Sequence, residues 1–114
     1  MVSEIYSYII TDKASTDLEG IIKYIAIELA DPAAATNFIE RYKEAINTIC
    51  SFPESGALIN NEFLPAADVR HIVVGNYIAF YYPDHDNKTC TVLRIIYGKR
   101  DLRNIILRHD DSNS

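Results

Sequence analysis

Asp31-Pro32 stands between two apolar stripes of helical period, and this pair of stripes limits the possible folds more than any other feature. Upstream, Ala14, Leu18, Ile21, Ile22, Ile25 and Leu29 step by three and four. Downstream, Ala35, Phe38, Ile39, Tyr42, Ala45, Ile46 and Ile49 do the same. Thr11 or Asp12 can cap the first helix, and Asp31 with Pro32 starts the second cleanly. Pro53 stops that helix just past Phe52. Gly20 weakens the first helix by up to about 1 kcal/mol relative to Ala, too little to end it. Its missing side chain is expected to let the second helix approach closely. Helices joined by so short a link lie antiparallel. The hairpin then has one wide apolar side to bury, and a sheet is the available partner.

The rest of the chain supplies that sheet. Ile5-Tyr6-Ser7-Tyr8-Ile9-Ile10 is β-branched and aromatic and reads as a strand. From Pro53 to Asp68 the chain reads as a loop, with Leu58, Ile59, Phe63 and Leu64 pinning it to the core. Two strand-like runs follow, from Val69 to Val74 and from Tyr77 to Tyr82, with Gly75-Asn76 as a two-residue hairpin turn. Pro83 to Lys88 reads as a second turn, leading to a last strand from Thr89 to Tyr97. The order is β-α-α-β-β-β, an α+β fold with a mainly antiparallel sheet covered by a helical hairpin. Residues 1–109 form one domain, and residues 110–114 a polar tail.

Composition narrows the function. A 48% hydrophobic content suits a compact globule, and no apolar run approaches the roughly 20 residues of a membrane span. Met1-Val2-Ser3-Glu4 lacks a basic leader, so the expected location is cytoplasmic, without membrane association. Cys50 and Cys90 lie among apolar residues and read as small core side chains. His71, His85 and His109 are scattered and no Cys/His spacing resembles a zinc site, so neither metal nor cofactor is expected. A net charge of −5 argues against a general nucleic-acid binder. Yet Arg70, Lys88, Arg94, Lys99, Arg100 and Arg103 crowd into one third of the sequence. A basic face on an acidic chain fits a specific partner.

The last strand carries much of that charge. Val92-Leu93-Arg94-Ile95-Ile96-Tyr97 is a buried-strand pattern, and Gly98 breaks it before Lys99-Arg100-Asp101. Arg94, inside an apolar run, is costly unless paired. Either it meets a carboxylate such as Asp17 or Glu19 on the covering helix, or it faces an open concave surface. The pair is the favoured reading.

Four phrases together resemble the RelE/ParE superfamily, the toxins of type II toxin–antitoxin (plasmid stabilisation) modules. They are Ala14-x-x-Asp17-Leu18-x-x-Ile21-x-x-Tyr24-Ile25, Phe52-Pro53-Glu54-Ser55-Gly56, Val69 to Tyr77 running into Phe80-Tyr81, and Val92 to Asp101. The resemblance implies a microbial-RNase-like α/β fold and a cognate antitoxin that wraps a segment around the toxin. It leaves the target open. ParE-like members poison DNA gyrase; RelE-like members cut mRNA in the ribosome, using basic residues and often an aromatic or His.

The sequence departs from the nuclease pattern where it matters. In the nucleases the aromatic opening the third strand is followed at once by arginine; here Tyr77 is followed by Ile78. The resemblance therefore favours a ParE-like toxin. The rival is a ribosome-dependent endoribonuclease using Arg70, His71, Tyr97 and Arg100, with Arg100 matching a functional arginine of RelE. A third reading is an inactive toxin-derived interaction module. Arg70, Lys99, Arg100 and Arg103 are the candidates for contacting target or antitoxin.

Overall fold

The computed structural model describes residues 5–59 and 68–98. Strand β1 (Ser7–Ile10) leads into α1 (Asp12–Lys23), a π-helical turn (Tyr24–Glu28) and α2 (Pro32–Ser51). Strands β2 (Ala57–Leu58), β3 (Arg70–Val74), β4 (Tyr77–Asp84) and β5 (Thr89–Tyr97) follow. They form one five-stranded sheet in the order β1-β5-β4-β3-β2. Only β1 with β5 is a parallel pair; the remaining pairs are antiparallel. The α+β architecture matches expectation.

Both helix starts use the caps that the sequence offers. Thr11 Oγ1 accepts the Ala14 N–H at 3.1 Å, and Asp31 Oδ1 accepts that of Ala34 at 3.0 Å. Between the helices, the first ends in a π turn in which the Leu29 N–H reaches the Tyr24 carbonyl at 3.0 Å. Ala30 then takes φ 50°, a left-handed conformation usually left to glycine. Gly20, by contrast, is exposed and an added Cβ there would meet nothing within 4 Å. It is no close-packing site, contrary to the expectation from sequence.

The hairpin covers one face of the sheet. Ala14, Ile21, Phe38, Tyr42 and Ile49 pack in one cluster with Ala79, Tyr81, Cys90, Val92 and Ile95. Both cysteines are buried and free, and burial pushes the Cys90 thiol up to about 12, which makes it a poor nucleophile. On β4, Ile78 and Phe80 are also buried, so this central strand is covered on both faces.

Two boundaries differ from the sequence reading. β4 runs through Pro83 to Asp84 instead of turning at Pro83. β3 pairs no further than Arg70 with Tyr81, so β4 is an edge strand by Pro83, where a residue without an N–H is tolerated. The segment after Pro53 is not wholly a loop, since Ala57 and Leu58 pair with His71 and Arg70 as β2. Gly75 does form the expected two-residue turn, with φ 62° at its first central position. Phe63 and Leu64 lie outside the described residues, as do Lys99, Arg100 and Arg103.

Candidate functional site

The placement of Arg94 decides which face of β5 is available. Phe80 pairs with Arg94 while Tyr81 pairs with Val92, so Leu93 is an extra, bulged residue. Val92 points into the helix-covered core, and strict alternation would send Arg94 there too. The bulge shifts the phase, so Ile95 enters the core instead, 2% exposed. The Asp17 carboxylate on α1 then accepts Arg94 Nε at 2.8 Å and Nη2 at 3.3 Å. It also accepts the Ile95 backbone N–H at 3.0 Å. Pairing of β5 with β1 ends at Val92, so Asp17 takes up a ladder donor that would otherwise be unpaired. Arg94 is a structural residue.

Arg70 is also engaged in the fold. Its Nη1 donates to the Glu54 carbonyl at 3.1 Å and the Gly56 carbonyl at 2.8 Å. Its Nε lies 3.3 Å from Asp68 Oδ1, within ion-pair range but not aligned for a hydrogen bond. Tyr81, fully buried, ties down the same turn. Its hydroxyl donates to the Pro53 carbonyl at 2.7 Å and accepts the Gly56 N–H at 2.9 Å. An added Cβ at Gly56 would sit 2.7 Å from the Tyr81 ring and from the His71 carbonyl, so this close approach requires glycine. The Phe52-to-Gly56 phrase is thus legible as a turn held by Tyr81 and Arg70.

The described nuclease candidates do not converge. His71 is next to Arg70 on β3 and therefore points to the other face, beside the Phe80 ring. Tyr97 pairs with Tyr77 on the helix-covered face. Arg70 pairs with Tyr81, four residues along β4 from Tyr77, roughly 13 Å at strand rise. Ile78 is 8% exposed and opposes Val73 and Ile96 on the face away from the helices. Its side chain would lie 2.6 Å from a Cβ added at Gly98, so this glycine leaves room for it.

What Tyr97 does join is a cleft of about 700 Å³ between the helical hairpin's tip and the β3–β4 turn. Tyr24, Tyr77 and Tyr97 line it with Phe38 and Leu29, and Asn37, Arg41 and Asn76 add polar groups. The Tyr77 ring packs edge-on against both Phe38 and Tyr97, with centroids 5.3 and 5.5 Å away. Burial raises the Tyr77 hydroxyl above its ordinary pKa, and Tyr24 and Tyr97 nearby raise it further. The Gly98 N–H donates to the Asn76 carbonyl at 2.8 Å, which fixes the end of β5 to the turn. The described lining offers hydroxyls, amides and one guanidinium but no carboxylate or imidazole. It can bind an apolar or aromatic group bearing an acceptor.

Sequence reasoning gave Tyr24 no role beyond the family phrase, and it missed Arg41. Asn37 and Arg41 are spaced i, i+4 beside the Phe38 stripe, a polar shoulder that could have flagged this helix face. The π turn and the strained Ala30 mark the same tip, where such irregularities often accompany function.

Comparison with known proteins bears on both fold and family. Solved structures of toxin–antitoxin proteins share the fold at low identity. The chromosomal ParDE toxin–antitoxin system of P. aeruginosa is 24% identical, covering 83% of this chain and 98% of that one, with a TM-score of 0.63. The RelBE2 toxin–antitoxin complex of Mycobacterium tuberculosis is 20% identical, over 82% and 91%, with a TM-score of 0.58. The archaeal RelE–RelB complex of Pyrococcus horikoshii OT3 is 14% identical, over 85% and 99%, with a TM-score of 0.57. No curated protein sequence matches the chain. The family model described as the ParE toxin of the type II toxin–antitoxin system parDE matches residues 8–102. That match spans most of the chain and includes the helical hairpin, the cleft and the exit of β5, so the protein belongs to the ParE toxin family of type II toxin–antitoxin systems.

Proposed function

We propose that this toxin acts as ParE-like members do, by poisoning DNA gyrase, and that a cognate antitoxin neutralises it. The observation that carries this reading is Ile78. It occupies, buried and apolar, the position where ribosome-dependent nucleases place an arginine. A preorganised cation meeting the reacting phosphate is worth about 10²–10³ in rate, and nothing at Ile78 supplies it. His71 and Tyr97 lie on opposite faces of the sheet, which weakens the endoribonuclease alternative further.

The contact surface in this reading is the tyrosine-lined cleft together with Lys99, Arg100 and Arg103, which follow Tyr97 in sequence. Arg41 is the one charged residue of the described lining, in a chain of net charge −5. An acidic partner segment with apolar anchors suits both. Arg70 supports this surface from within, by holding the Glu54–Gly56 turn.

Two assays test the proposal. Induction of the chain alone should arrest bacterial growth, and co-expression of the antitoxin should restore it. Purified toxin should block gyrase supercoiling. Growth unaffected at high soluble expression would point instead to the inactive interaction module.

A further inference from the structure

Three segments far apart in sequence meet beside Tyr6. The turn after α2 brings Glu54, the residues leading into β3 bring Asp68, and the β4–β5 turn brings His85. One ligand atom from each lies within 4.8 Å of the others. The geometry points to a divalent transition-metal site, and we propose that Glu54, Asp68 and His85 together bind Zn²⁺.

Two carboxylates and one imidazole form a donor set suited to zinc. At bond lengths of about 2.0–2.2 Å, tetrahedral ligand atoms lie about 3.4 Å apart. His85 Nε2 and Glu54 Oε2 are already 3.6 Å apart, and the Asp68 ligand atom lies within 4.8 Å of both. Mg²⁺ fits less well, because it prefers an all-oxygen octahedron and gives up its waters reluctantly.

The second, independent observation is Tyr6, which lies outside the ligand set. Its hydroxyl is 2.6 Å from His85 Nδ1. In the tautomer that carries its proton on Nδ1, His85 donates to the Tyr6 oxygen and turns the Nε2 lone pair toward Glu54, the arrangement an outer partner gives a metal-bound histidine. Tyr6 is itself held to the core, because its backbone N–H donates to the Cys50 carbonyl at 2.8 Å. Asp68 is steadied by Arg70, whose guanidinium also grips the Glu54 carbonyl. Arg70, and Lys88 with its ammonium 5.6 Å above the Tyr6 ring, add positive charge beside the site. That charge works against a cation, so the expected affinity is micromolar, not that of an all-cysteine site. A bound ion would tie the end of α2, the start of β3 and the β4–β5 turn into one unit.

The test uses the full-length chain, stripped of metal and titrated with zinc chloride by calorimetry, with melts before and after. The expected result is one saturable equivalent and a melting temperature raised by several degrees, with magnesium producing neither. His85→Ala and Glu54→Gln should each abolish both effects while melting like wild type without zinc, since both residues are exposed. Tyr6→Phe should weaken binding about 10- to 100-fold without removing a ligand. Absence of saturable zinc binding in the wild type would overturn the proposal. So would binding that survives in His85→Ala and Glu54→Gln, because the ion would then sit elsewhere.

Discussion

Replacing Asp17 by alanine should destabilise the fold more than replacing its partner Arg94. Asp17→Ala removes the acceptor of three donors at once: Arg94 Nε, Arg94 Nη2 and the Ile95 N–H. A hydrogen bond involving a charged group contributes about 1.5–3 kcal/mol net, and a buried donor left without a partner costs about 1–3 kcal/mol. The side chains are 17% and 31% exposed, so water offsets part of the Arg94 loss but little of the Ile95 loss. The expected cost is about 2–4 kcal/mol for Asp17→Ala. Arg94→Ala leaves Asp17 on the Ile95 N–H and should cost about 1–2 kcal/mol. In a domain of this size, 3 kcal/mol lowers the melting temperature by roughly 10 °C. Thermal or urea unfolding of both single variants and the double variant measures these costs and their coupling. An Asp17→Ala protein that melts like wild type would refute the argument. So would an Arg94→Ala cost larger than that of Asp17→Ala.

Three further outcomes are expected. Arg100→Ala, just past the Gly98 break in sequence, should reduce growth inhibition while shifting stability by under about 0.5 kcal/mol, which a plating assay beside a melt would check. Gly20→Ala should stabilise by up to about 1 kcal/mol, since the site is helical and open, and a lower melting temperature would contradict this. At alkaline pH tyrosine ionisation should govern the change in stability. Burial raises the hydroxyl pKa of Tyr8, Tyr42, Tyr77 and Tyr81 above 10.0, so the folded state keeps protons that the unfolded chain releases. Their contribution is fully present below about pH 10 and declines above it, and Tyr42→Phe should flatten that decline in urea titrations from pH 8 to 11.

Much of the fold was legible because its signals are local. The two stripes, the Thr11 and Asp31 caps and the Gly75-Asn76 turn each depend on neighbours in sequence, and the helical hairpin and β3–β4 hairpin follow from them. The pairing of Arg94 with Asp17 was legible for another reason: a cation in an apolar strand needs a carboxylate within reach. What sequence did not reveal depends on distant partners. The Leu93 bulge exists only relative to β4, and β2 is two residues that become a strand by meeting β3. Pro83 reads as a breaker until β3 is seen to end short of it. The cleft gathers Tyr24, Arg41, Asn76 and Tyr97 from four elements, and no spacing rule links them. His71 and Tyr97 looked like members of one site until the register put them on opposite faces.

The proposal that this toxin acts on gyrase rests on Ile78, which stands where the resemblance to the nucleases would put an arginine. Primer extension on messenger RNA from cells shortly after induction, with gyrase supercoiling measured on the same preparation, tests it most directly. The expected result is an unchanged pattern of 5′ ends within translated codons, accompanied by loss of supercoiling. Discrete new 5′ ends inside codons, with supercoiling intact, would contradict the account and return Arg100 and Tyr97 to a nuclease site.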